Sequence, residues 1–252
     1  RAALALVLWH RAVGTVHDIA PSPDYESFGL SFPRHDHLIQ NLTVVQEDFL
    51  SKDVSVRIPS GATVADISLG GPDCSSFTRV GFAGQSRNEA NHHLGDGRPE
   101  TQQGNAMLFK FIERIGENLR CNPEHLFLLE QPEGSEAHKL LALPMSTLKE
   151  VYQITVNYCW FWRRGFEDGP FQKATRFITN SKEVYVALRG ADEGYRCTDA
   201  HRCCHFRDHT PVQGNTKAAT PWPKLLCETI ARALAMEVSK KQCLWQHKVL
   251  AP

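Results

Sequence analysis

An alternating run, Val64-Ala65-Asp66-Ile67-Ser68-Leu69, stops at Gly70-Gly71-Pro72-Asp73-Cys74. That alternation is the mark of a strand, and the glycines signal a turn at its end. Open α/β sheets bind their ligands beyond the carboxyl ends of strands, so the spacing predicts a Cys74 thiol facing a cleft. Glycine there lets backbone approach a ligand closely. The plainer alternative is a small apolar residue in a turn, because most free cysteines are buried and inert.

Around this stretch the chain alternates strands with helices. Strands are expected at Gly14–Asp18, Leu42–Gln46, His125–Leu129, Tyr152–Val156 and Thr175–Thr179, with a further one at Glu183–Leu188. Helices are expected over Arg1–Val13, Asn105–Leu119, Glu136–Leu143 and Pro221–Val238. Residues 20–37 read as a loop, and Phe82–Gln103, poor in apolar residues, reads as a mobile one. This rhythm predicts an α/β fold with a doubly wound, mostly parallel sheet. The expected organisation is a core over 1–180, a short target-recognition segment over 181–212, a returning motif and helix over 213–238, and a tail over 239–252.

The chain has 252 residues, 42% of them hydrophobic, which is enough for one sizeable core. Its 28 Lys and Arg balance 28 Asp and Glu, so nucleic acid binding would need a local basic patch rather than a global field. Eight cysteines over this length are no disulfide framework, and with no signal peptide in view they suggest a reducing, intracellular compartment. The apolar run Ala2–Trp9 is too short to span a membrane, and no membrane association is expected.

Three acids stand at predicted strand ends: Asp18, Asp48 and Glu130. In a doubly wound sheet these ends share one rim with Cys74. Five residues, His125-Leu126-Phe127-Leu128-Leu129, precede Glu130 and Pro132 follows it, so its carboxyl is expected at a dry edge with a raised pKa. A carboxyl so placed can protonate a ring nitrogen while a thiolate attacks the neighbouring carbon.

Cys74 after a glycine turn, Glu130 after an apolar strand, and then Gln172-Lys173-Ala174-Thr175-Arg176 together resemble the cytosine-C5 DNA methyltransferases. That family has a Pro-Cys motif, a Glu-Asn-Val or Glu-Asn-Pro motif and a Gln-x-Arg-x-Arg motif. Asp66–Phe77 is similar to the Gly-Gly-Ser-Pro-Cys region of the animal de novo enzymes, and Gln213-Gly214-Asn215 is similar to the Gly-Asn of the last family motif. The resemblance implies a methyltransferase-type sheet, S-adenosylmethionine as cofactor and a flipped cytosine as target. It implies Cys74 as nucleophile, Glu130 as acid and Arg176 as a base- or loop-holding residue. Asp18 with Ile19, Asp48 with Phe49, Gly70 and Asn215 would hold the cofactor. Ser76, Arg79, Gln172, Lys173, Arg202 and Arg207 would meet DNA, and residues 77–103 would form the catalytic loop.

Several positions depart from the family. Its Phe-x-Gly-x-Gly loop is not found, since the chain opens in the helix expected to follow it, so the first and central strand is expected to be missing. Asp73 stands for the proline before the nucleophile, where an acid disfavours the thiolate. Gln131 stands for Asn, and Ala174 for the first Arg of its motif. These departures point to an alternative, a non-catalytic relative that binds nucleic acid or a partner protein. A tRNA-acting cytosine-C5 methyltransferase is a further alternative. The location would be nuclear in a eukaryote and cytoplasmic otherwise.

The recognition segment contains Cys197, Cys203, Cys204, His205 and His209, residue types that bind zinc. Their spacing matches no zinc motif, so a loose cluster of reduced thiols is the competing expectation. Trp160, Phe161 and Trp162 are expected in the core or an interface. Oligomeric state has no signature here.

Overall fold

A computed structural model describes residues 14–17, 42–45, 67–72, 74–78, 86–163, 169–190, 194–213 and 222–250. The expected helix over 1–13 and loop over 20–37 lie outside the described residues. Strand β1 is Gly14–His17 and β2 is Leu42–Val45, paired in parallel. Strand β3, Ile67–Gly70, leads to helix α1, Pro99–Cys121, and then to β4, Leu126–Pro132. Helix α2, Ala137–Ser146, precedes β5, Tyr152–Asn157, and β6, Ala174–Thr179. Helix α3, Lys182–Arg189, and the long α4, Lys224–Leu250, complete the chain.

The described strands form two sheets, β1-β2 and a four-stranded one in the order β3-β4-β6-β5. This is an α/β fold, but the larger sheet is not mostly parallel. Only β3 and β4 run in parallel, and β6 lies antiparallel to both β4 and β5. Among the described residues of the connection from β5 to β6 there is only a single 3-10 turn, Tyr158–Phe161, and no crossover helix of the kind that joins parallel neighbours.

Strand β4 is buried along its whole apolar run because helices cover both faces. On one face Leu126, Leu128, Phe177 and Val156 pack against Val184 and Leu188 of α3 and Leu226, Ile230 and Leu234 of α4. On the other, Phe127, Leu129 and Ile178 meet Leu108, Phe111 and Ile115 of α1 with Leu141 and Met145 of α2.

Three other expectations are corrected. Glu183–Leu188 is helical, not a strand: the Ser181 side chain caps it by accepting from the Val184 amide, and Val184 and Leu188 share its buried side. Helix α1 starts at Pro99, so the expected loop is shorter than Phe82–Gln103; proline at the first turn fits where no amide partner is needed. Residues 239–250, expected as tail, continue α4. Among the described residues no helix is long and apolar enough to cross a membrane.

Candidate functional site

Alternation along β4 puts Glu130 on the same side as Leu126 and Leu128, at the point where the apolar layer ends. Its carboxyl is almost wholly enclosed, at 9% exposure. Burial pushes its pKa up, opposed by Lys173, whose Nζ lies 3.8 Å from Oε1. Lys173 also sits over the Tyr158 ring, 4.9 Å from its centre. Tyr158 is itself buried, and its pKa is raised by burial first and then by the charge of Glu130. Glu130 Oε1, the Tyr158 hydroxyl and Thr175 Oγ1 are buried and close no hydrogen bond of good geometry among the described residues. The three interact with one another, Tyr158 and the Trp222 indole with the Glu130 carboxyl and Thr175 with Tyr158, so they form one buried polar group where the apolar layer ends.

The glycine turn meets this acid directly. A Cβ on Gly71 would lie 2.9 Å from Glu130 Oε2, so a larger residue in the turn would push the carboxyl aside. Gln131 Nε2 donates to the Pro72 carbonyl at 2.7 Å, and Ser135 Oγ donates to Gln131 Oε1 at 3.0 Å. Residue 131 therefore ties the strand end to the loop that carries the cysteine. Cys74 is half-buried, and its carbonyl accepts from the Phe77 and Thr78 amides at 2.9 and 3.0 Å. Cys74 and Glu130 both lie within electrostatic reach of the Tyr158 hydroxyl.

Beyond Cys74 the loop is fastened by Arg87, a residue without an expected role, only 4% exposed. Its guanidinium donates to the Ser76 carbonyl at 2.7 Å, the His93 carbonyl at 2.7 Å and Asn105 Oδ1 at 2.8 Å, and stacks over the Phe77 ring. Ser76, expected to meet DNA, is instead buried under Arg87, with its hydroxyl accepting from Nη2 at 3.3 Å. Gly70, expected at the cofactor, leaves room for the Phe111 ring of α1, which any Cβ there would strike.

Arg176 does not join Glu130. It pairs with Gln131 in the sheet, on the opposite face, and its charge helps burial lower the pKa of His138 on α2. The cation beside the acid is Lys173. Gln172 lies at the surface and donates to the Cys197 carbonyl at 2.9 Å. Arg202 and Arg207 are exposed on the segment between α3 and α4. Asp18, Ile19, Asp48, Phe49, Asp73, Arg79 and Asn215 lie outside the described residues.

The Cys- and His-rich segment does gather a cluster, though not the expected one. Cys159, Cys197, Cys203 and His209 bring their Sγ and ring nitrogen atoms within 4.8 Å of one another, and this set could hold a metal ion. Cys204 and His205 are not in it: Cys204 is exposed, and the His205 ring stands edge-on to Trp162. Cys159 carried no signal in the sequence, because it lies 38 positions before Cys197. Tyr158 likewise sits far along the chain from Glu130 and Cys74. No protein-family model matches the chain, and no curated protein is detectably similar to it in sequence.

Proposed function

We propose that the chain is a DNA cytosine-C5 methyltransferase in which Cys74 is the nucleophile, Glu130 the acid and S-adenosylmethionine the methyl donor. The supporting observation is the enclosed Glu130 carboxyl, its proton favoured by burial, packed against the turn that leads to Cys74. Cytosine C6 is a poor electrophile. A protonated Glu130 donating to N3 draws electron density from the ring as Cys74 Sγ bonds to C6. The electron pair this places on C5 takes an electrophilic methyl group, which the sulfonium donor supplies when bound. Loss of the C5 proton and expulsion of the Cys74 thiolate then restore the ring and the enzyme. The base has to leave the helical stack to reach this depth, and Tyr158 and Thr175 offer hydrogen-bonding groups for its edge. Lys173, 3.8 Å from the acid, would hold its charge in place when the proton is given up. Gln131, although not the family's Asn, supports the loop rather than weakening it.

The test is covalent trapping of the complete gene product with a duplex containing 5-fluorocytosine and S-adenosylmethionine. After methyl transfer the fluorine cannot leave as a proton does, so elimination stops and the protein stays bonded to DNA. The expected result is a denaturation-resistant adduct with the native chain and none with Cys74→Ala. An RNA hairpin carrying the same base runs beside it, and an adduct with RNA alone would overturn the DNA assignment. No adduct with either would overturn the enzyme and leave a binding module.

A further inference from the structure

We infer that Cys159, Cys197, Cys203 and His209 form a closed, structural zinc site that fastens the segment between α3 and α4 to the end of β5. The geometry is close to what a tetrahedral ion requires. With Zn–S about 2.3 Å and Zn–N about 2.0 Å, tetrahedral angles put sulfur and nitrogen ligands about 3.5 Å apart. His209 Nε2 lies 3.1 Å from Cys203 Sγ and 3.7 Å from Cys197 Sγ, on either side of that value. Three thiolates and an imidazole are a borderline-soft set that suits zinc, and four protein ligands leave no position for substrate.

The surroundings are also those of a metal centre. The Cys203 amide donates to Cys197 Sγ at 3.4 Å, a bond that favours the thiolate. Asn157 Oδ1 accepts from the Cys197 amide at 2.9 Å, and the Gln172 side chain donates to the Cys197 carbonyl. Trp160 packs over the three cysteines and limits access of water. The buried cysteines form a small cluster of their own beside the main core, with Trp160 packed against both, and Tyr195 at the start of the segment reaches Phe161. Cys159 directly follows Tyr158, so the same ion would brace the wall that carries Tyr158 and Lys173. This inference does not rest on methyl transfer. A binding module with the same site would hold zinc equally.

The experiment is elemental analysis of the full chain purified without chelators from zinc-supplemented cells. About one zinc per chain is expected, retained by Cys204→Ser and His205→Ala and lost by Cys203→Ser and His209→Ala. Because ligand variants can fail to fold, alkylation of the native chain provides a second readout. Cys204 should react at once, and Cys159, Cys197 and Cys203 only after chelation. Chelation should also open residues 194–210 to protease. Absence of zinc with all four thiols reactive, or a disulfide among the three, would overturn the site. So would equal loss of metal from the Cys204 and His205 variants.

Discussion

Glu130, the acid of the proposed reaction, is placed where its charge costs stability. Its carboxyl is enclosed, and the nearest cation, Lys173 Nζ, stands 3.8 Å away, beyond hydrogen-bond distance, so desolvation outweighs attraction and the pKa rises. The folded state therefore holds this proton more tightly than the unfolded state does. The stabilising contribution is fully present below the ordinary glutamate pKa and is lost as pH rises through the raised value. Glu130→Gln keeps the shape and removes the charge, so its stability should match the native chain in acid and exceed it above neutral pH, read by urea melts across pH. A variant that loses stability at every pH would show that the carboxylate is instead well paired. In the trapping reaction the same variant should be slower by about 100- to 10,000-fold, the range for a positioned acid.

At the scale of elements, the β3–α1 connection positions Cys74, and its tightest point is Gly104. A Cβ there would collide with Ser76 Oγ and come within 3.2 Å of Phe77, just where Arg87 clamps the loop. Alanine in an open helix position would gain about 1 kcal/mol over glycine. Overpacking costs about 1–3 kcal/mol, so Gly104→Ala should lower stability, and adduct formation should fall further because Cys74 is displaced. A melt that shifts upward by the full helix-propensity gain would show that the loop moves aside freely. Much of this layer was readable in advance. The apolar run Leu126–Leu129 of β4, the amphipathic α1 and the glycine turn declare themselves by pattern, and Glu130's dry setting follows from the residues before it. Helix α3 did not, because Val184-Tyr185-Val186 favours strand in isolation and turns helical only with the Ser181 cap and α4 to pack on. The antiparallel β6 was missed because an apolar run has no direction. Cys159 was missed because its partners lie far away in sequence, and Arg87 because the stretch around it has no periodic pattern to place partners that lie 6 to 18 residues away.

For the whole molecule, zero net charge decides how it can approach a polyanion. With 28 basic and 28 acidic residues there is no long-range field, so attraction to DNA has to come from cations concentrated in one place. Many of the cations on the described surface are engaged by acids: Lys110 with Glu113, Arg114 with Glu117, Arg196 with Glu133 and Lys240 with Glu183. Arg202 and Arg207 are exposed on the segment that carries Cys197, Cys203 and His209, and the Arg202 Nε–H donates to the Asp199 carbonyl. Each phosphate contact contributes about 0.9 to the slope of log affinity against log salt. If these two arginines are the electrostatic footprint, Arg202→Ala with Arg207→Ala should flatten the slope by about 1.8, measured by fluorescence anisotropy over a potassium chloride series. Because phosphate contacts do not read bases, the loss should be equal for duplexes of unrelated sequence. An unchanged slope would show that these arginines make no phosphate contact. A flattened slope on one sequence only would mean that these arginines contact base edges, so that this short segment reads sequence as well as backbone.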